Sequence, residues 1–207
     1  MGCRLPTMSF GVPIRKFLSI RPPKRLRMCY KNMETKLSYR NEDDRCYGAT
    51  GMTVAFFVME GDELIAAVNL DSTPDSLIEY ADDYFFAGNP GLSAKSAWNT
   101  ILKHFNLSMA AAMANIMCRR AVMENTSLDA PTKQWLLDLM IEEGRATCQL
   151  DEDETRRIFD KNYVYLTRVF THRGVQGICH DFANTLKQRR RMTRFEILEA
   201  LRALRML

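Results

Sequence analysis

Residues 107–123 read LSMAAAMANIMCRRAVM, and only Ser108, Asn115, Arg119 and Arg120 interrupt an otherwise apolar run. Alanine and methionine are strong helix formers, so the run is predicted to be a helix. A helix that is apolar around nearly its whole circumference has no face for water and belongs inside a fold. The segments on either side are then expected to lay their apolar stripes against it.

Working toward the C-terminus, Asn125–Pro131 reads as a connector. Trp135, Leu136, Leu139 and Met140 line a helix over 132–143, with Gly144 as its expected stop. Acids from Asp151 to Glu154 open the next helix, where negative charge suits the positive helix end. Its apolar line is Phe159, Tyr163, Leu166 and Phe170, broken at Gly174. Val175, Ile178, Phe182 and Leu186 form a further helical face, and Thr193 caps a last helix carrying Phe195, Leu198 and Leu201.

Toward the N-terminus, Ser93 caps a helix whose Trp98, Ile101, Leu102 and Phe105 keep the i, i+3, i+4, i+7 spacing of one face. A kink is expected at Asn106–Ser108. Asp71-Ser72-Thr73-Pro74-Asp75 combines a capping hydroxyl with a proline suited to a first turn. It predicts a helix running to about Phe86, with Leu77, Ile78, Ala81 and Phe85 on one face. Met52–Met59 (MTVAFFVM) and Leu64–Leu70 (LIAAVNL) are rich in residues that favour a pleated surface. Gly61-Asp62 between them suits a two-residue turn, which predicts an antiparallel hairpin over 52–70 with both faces apolar. A helical reading of Leu64–Leu70 stays open, because short apolar runs are ambiguous.

The expected fold is therefore mainly α (α+β). About seven helices pack around the apolar helix 107–123, with one small hairpin at 52–70. Residues 34–207 form a single globular domain, with 34–71 as its hairpin region and 72–207 as its helical region.

Charge is unevenly spread. The chain has 207 residues and a net charge of +4, yet residues 1–33 alone carry eight Lys/Arg and no acid. Residues 187–207 carry seven Lys/Arg against two acids, and the body between the two ends is net acidic. The basic first 33 residues read as a disordered leader outside the domain. Transit peptides and nucleic-acid-binding arms share that composition, and a start at Met28 or Met33 would remove it. No apolar run reaches the length of a membrane span, so no membrane association is expected. Six cysteines without a CxxC spacing read as free thiols in a reducing compartment, the cytoplasm.

No chemistry announces itself. Tyr80-Ala81-Asp82-Asp83 spells the YxDD string that reverse transcriptases use to hold two metal ions, but it falls within the expected helix. Cys179-His180-Asp181 has the residue types of a triad, yet consecutive helix positions diverge by about 100° and cannot meet. The bland reading is a buried cysteine beside a surface histidine. His104, His172 and His180 show no zinc spacing, and no phosphate-cradling glycine motif exists. No cofactor or catalytic residue is proposed from sequence. The most suggestive feature is basic: Lys187, Arg189, Arg190, Arg191, Arg194, Arg202 and Arg205. Such charges can contact phosphates, dock on a partner, end a helix favourably or fold back on the acidic body.

Three functions follow in order of weight. The first is a non-enzymatic cytoplasmic protein-interaction or regulatory protein, binding a partner or self-associating through the doubly apolar hairpin. The second is a nucleic-acid-associated regulator that uses the C-terminal basic helices. The third is an enzyme with an unrecognised site.

Overall fold

The computed structural model describes residues 38–81 and 94–206. The basic leader 1–33, most of the 74–86 segment's second half, and Asp82 and Asp83 of the YxDD string lie outside the described residues.

The long apolar helix is where the sequence places it, but it starts earlier. Helix α2 (Ala94–Met117) runs without interruption through Asn106–Ser108, so the two helices expected on either side of a kink are one. Nothing at 106–108 is helix-breaking, and Asn106 instead accepts a 2.7 Å bond from Asn162. The helix then widens into a π segment, Cys118–Met123. Ala110, Met113, Ala114 and Ile116 are all buried, Met113 to 1 % and Ile116 to 3 % exposure. Its sheath consists of α1 (Glu42–Val58), α3 (Ala130–Cys148) and α4 (Glu152–Thr171). Helices α5 (Arg173–Arg189) and α6 (Arg194–Leu201) close the far side of α1 and the sheet. The fold is mostly helical with a small antiparallel sheet, as expected, with six α-helices among the described residues.

The largest departure is α1. Met52–Met59 is not a strand; it is the second half of a helix that begins at the acidic cluster 42–44. Asn41 caps it, accepting from the Asp44 amide at 2.8 Å, and the three acids sit at the positive helix end. Val, Thr and Phe are mediocre helix formers, so tertiary packing decides the matter. A Cβ on Gly51 would sit 2.7 Å from Cys118 Cβ and closer still to the Ala114 carbonyl. The missing side chain lets two backbones approach, and burial on α2 outweighs strand preference. Thr50 and Thr53 are fully buried, yet each hydroxyl donates to the carbonyl four residues back at 2.8 Å.

The Gly61-Asp62 turn signal is thereby reassigned. Glu60 takes a left-handed φ of 56°, and the Gly61 amide donates to the Phe56 carbonyl at 2.8 Å. That six-to-one bond is a helix C-terminal motif. A 3₁₀ turn, Asp62–Leu64, leads into β1 (Ile65–Asn69), so the second half of the expected hairpin is a strand.

Its partners are different ones. After Pro74 a single 3₁₀ turn, Pro74–Ser76, gives way to β2 (Ile78–Tyr80) in place of the expected helix. Leu77 and Ile78 are neighbours and both buried, which an extended chain crossing into the core achieves more readily than a surface helix. Strand β3 (Arg191–Thr193) pairs on the other side, giving the order β2-β1-β3, all antiparallel, with Val68 opposite both Ile78 and Met192.

The C-terminal helices follow the sequence pattern closely. Asp151 and Glu154 form a reciprocal capping box at the start of α4, and Thr193 with Glu196 does the same for α6. Phe159, Leu166, Phe170, Phe182 and Leu186 are all essentially inaccessible. Three details are corrected. The break between α4 and α5 falls at His172, and Gly174 lies in the first turn of α5. Gly144 does not stop α3, which continues to Cys148 and ends at a left-handed Gln149. The glycine is there because a Cβ would meet Thr155 Oγ1 at 2.9 Å and the Phe105 ring at 3.1 Å. Phe195 is not part of the buried stripe of α6: it is 73 % exposed, and Ile197 takes its place beside Leu201.

Candidate functional site

The seven basic residues singled out from the sequence occupy the end of α5, β3, α6 and the final 3₁₀ turn (Arg202–Met206). Five are held by carboxylates of the same chain. Lys187 Nζ reaches Asp43 at 2.6 Å. Arg190 bridges Glu42 and Asp71, the latter at 2.7 Å. Arg191 crosses the sheet to Glu79 at 2.6 Å, Arg189 pairs with Glu196, and Arg205 lies 3.5 Å from Asp62. Arg194 acts electrostatically on Glu63. Arg202 is exposed on the last turn.

The local cause is antiparallel packing of α1 and α5. The acidic first turn of α1 meets the basic last turn of α5, so opposite side-chain charges face each other while each also opposes the sign of its own helix end. The pKa directions agree. Hydrogen bonding raises Lys187, Arg190 and Arg191, while Glu79 is lowered, first by Arg191 and then by Asn69.

A second ionic centre is buried and escaped the sequence reading. Arg119, in the π segment, makes a bidentate pair with Asp44, Nε to Oδ1 and Nη2 to Oδ2, both at 2.6 Å. The side chains are 6 % and 0 % exposed. Arg119 also donates to the Ser38 carbonyl at 3.1 Å and lies 5.1 Å under the Tyr39 ring. Tyr39 OH accepts from Asn115 at 2.7 Å, and its ring occupies the space a Gly48 Cβ would need. Burial raises the Asp44 carboxyl, but bonds from Arg119 and Arg40 overcome it and hold the pKa at about 2. Arg40 and Arg120 share Glu124 beside this pair. Among the described residues, Arg119, Arg40 and Arg120 meet Asp44 and Glu124 at this corner.

The thiols are packing groups. Cys46, Cys118, Cys148 and Cys179 are free and buried. Burial, then the Glu42 and Asp43 charges, pushes Cys46 to about 11; burial, then contact with Cys179, pushes Cys118 well up. Within the Cys179-His180-Asp181 string, Cys179 is inaccessible while His180 is on the surface, its Nδ1 2.6 Å from Tyr47 OH. The string does not form a triad. Among the described residues, no three His, Cys, Asp or Glu side chains converge as a metal site would require.

A third feature is apolar. The turn after α1 gathers three distant elements: Lys103 of α2 reaches Glu63 at 2.9 Å, Tyr165 of α4 donates to the Val58 carbonyl at 3.0 Å, and Arg205 lies 5.0 Å over the Phe57 ring. With α6, whose Arg194 acts on Glu63, these elements carry the large hydrophobic residues left exposed among the described residues. They are Trp98, Val164, Tyr165, Phe195 and Met206, with Phe195 and Met206 the most exposed at 73 % and 81 %.

No protein-family model, curated protein or solved structure matches the chain. No helix among the described residues is long and apolar enough to cross a membrane.

Proposed function

We propose that this is a non-enzymatic protein-interaction or regulatory protein of the cytoplasm that engages a protein partner, or a second copy of itself, through the apolar pole around residues 57–64. The observation that carries the reading is the exposure of Phe195 and Met206 together with Trp98 and Tyr165 on elements converging on one turn. Isolated exposed hydrophobics need no explanation, but large ones carried by elements that meet at one turn are what an interaction surface would use. The sheet edges support a different route less well than the sequence suggested. Strands β2 and β3 are three residues each, and Arg191 and Glu79 clamp across them, the short charged edges that resist strand addition. Four buried free thiols favour a reducing compartment.

The nucleic-acid reading draws less support, because five of the seven basic side chains already hold carboxylates of the chain. A phosphate would have to displace them.

Sedimentation velocity of the full chain and site-specific photo-crosslinking in cells test the reading. A crosslinker at position 195 should give a discrete adduct that one at the polar position Arg157 does not. A strictly monomeric protein with no adduct specific to position 195 would sink it. Salt-dependent nucleic-acid binding abolished by changing Arg189, Arg190 and Arg191 to Ala would put the alternative in its place.

A further inference from the structure

Helix α5 gives way to β3 across a single residue, Arg190. Its φ of 65° and ψ of −33° lie outside the left-handed well that Gln149 occupies at 49° and 30°. A residue with a Cβ is strained there. Glycine or proline would mark an ordinary turn, yet residues 178–206 contain neither. Lys187 to Met192 are all strong helix formers. The local sequence therefore opposes the reversal, and tertiary contacts hold it. The Arg190 amide donates to the Leu186 carbonyl and the Arg190 carbonyl accepts from the Leu70 amide, both at 2.8 Å. Its guanidinium bridges Glu42 and Asp71.

Beyond this hinge lies an arm, residues 191–206, with its own seat on the body. Strand β3 is an edge of the sheet, bonded to β1 with Val68 opposite Met192 and Asn69 opposite Arg191. Met192, Ile197 and Leu201 are buried to 1 %, 2 % and 0 % exposure, and α6 packs on β1 and α5. Arg191 holds Glu79, and Arg205 lies 5.0 Å over the Phe57 ring. Each of these partners precedes the hinge, so the arm of a second copy can make every one of the same contacts. Exchange keeps the seat filled and releases the strained residue in both chains. Short hinges under strain invite such an exchange, which is a low-cost route to a dimer. The surface around the hinge carries both signs of charge, Glu42, Asp43 and Asp71 with Lys187 and Arg190, so two copies meeting there are self-complementary.

We propose that residues 191–206 exchange between two copies of this chain, hinged at Arg190, so that β3 of each copy adds to β1 of the other. The interaction surface is the arm's buried seat, and the partner is a second copy. The proposal is drawn from the hinge and the seat and does not require the apolar pole to bind anything. The arm also carries Phe195 and Met206 of that pole, so the experiment separates exchange from association through the pole.

The trap is a cysteine pair, Asn69→Cys with Arg191→Cys, in the full chain carrying Cys3→Ser and Cys29→Ser. The two positions are Cα partners whose native side chains both reach Glu79, within the separation a disulfide spans. The other four native thiols are buried. Under oxidised glutathione a closed monomer links within one chain, whereas an exchanged dimer links two. Non-reducing electrophoresis should show a covalent dimer that rises with the dimer fraction in sedimentation velocity and exceeds the background of Arg191→Cys alone. It should persist when Phe195→Glu and Met206→Glu are added. Arg190→Gly and Arg190→Ala lose the same ion pairs but differ in tolerance of positive φ. The glycine dimer should therefore have a dissociation constant roughly a hundredfold higher, about tenfold for each of two hinges. A strictly monomeric protein, a dimer whose links are all within one chain, a dimer abolished by the Phe195 and Met206 changes, or equal dissociation constants for the two hinge variants would each overturn the proposal. The hinge variants decide if the cysteine pair fails to fold.

Discussion

Changing Asp44 to Asn removes one charge from a pair that has no access to water. Arg119 keeps its cation, 6 % exposed, facing an amide in place of the carboxylate it holds at 2.6 Å through two nitrogens. Two estimates bracket the loss. The drop of the Asp44 pKa from 3.8 to about 2 corresponds to roughly 2 kcal/mol of preference for the ionised carboxylate in the folded state. Removing one member of a buried pair costs about 3–5 kcal/mol, because the other charge is left without compensation. Asparagine retains one acceptor oxygen, so about 3 kcal/mol is expected. With a urea slope of about 2 kcal/mol per molar, the unfolding midpoint followed by circular dichroism at pH 7 should fall by about 1.5 M. The companion variant Asp44→Leu with Arg119→Met buries no charge and should unfold near the wild-type midpoint or above it. A single variant that loses less than about 1 kcal/mol would refute the reasoning. So would a double variant as unstable as the single, since the cost would then come from shape and not from an orphaned cation.

The same pair sets an acid limit. A carboxyl whose pKa is lowered on folding contributes stability above its unfolded value of 3.8 and loses it as the pH falls through about 2. Urea midpoints measured from pH 5 to pH 2 should therefore decline more steeply, by roughly 2 kcal/mol in total, in the wild type than in the Leu/Met double variant; parallel declines would count against it. Gly51→Ala pushes a methyl into the Ala114 carbonyl and Cys118 Cβ and should destabilise by about 1–3 kcal/mol in thermal or urea melts. Gly177→Ala, where nothing lies within 4 Å of the added methyl, should stabilise helix α5 by about 0.5–1 kcal/mol; equal effects at the two glycines would contradict the close α1–α2 contact. Asp151→Ala removes the acceptor of the 2.7 Å bond from the Glu154 amide and should cost about 1 kcal/mol, read by the same melts.

Elements whose periodicity was long and whose ends were chemically marked were legible before any coordinates. Helix α4, with its Asp151 cap and its line from Phe159 to Phe170, and helix α5, with Phe182 and Leu186, follow the chain's own pattern. So does the burial of Met113 and Ile116, since a helix with no polar face has nowhere else to go. Residues 52–59 were illegible for a physical reason: an eight-residue run apolar on all sides has the same composition as strand or helix. What selects helix is the absence of a side chain at Gly48 and Gly51 opposite a helix sixty-odd residues away, and one segment cannot reveal that. Part of the ionic centre could have been inferred. An arginine inside an apolar helix requires a counter-ion, and Glu42-Asp43-Asp44 was an acidic cluster without an assigned role. Which of the three acids it takes, and that the other two hold Lys187 and Arg190, depends on how α1 lies against α2 and α5.

The chain alone determined the helical class, the central apolar rod and the caps of the last helices, because those depend on spacing and on groups within a turn of one another. Tertiary structure decided the partners of every strand, the fate of residues 52–59 and the disposition of the basic residues. Each of those is a contest between near-equal local preferences, settled by contacts between residues far apart in sequence.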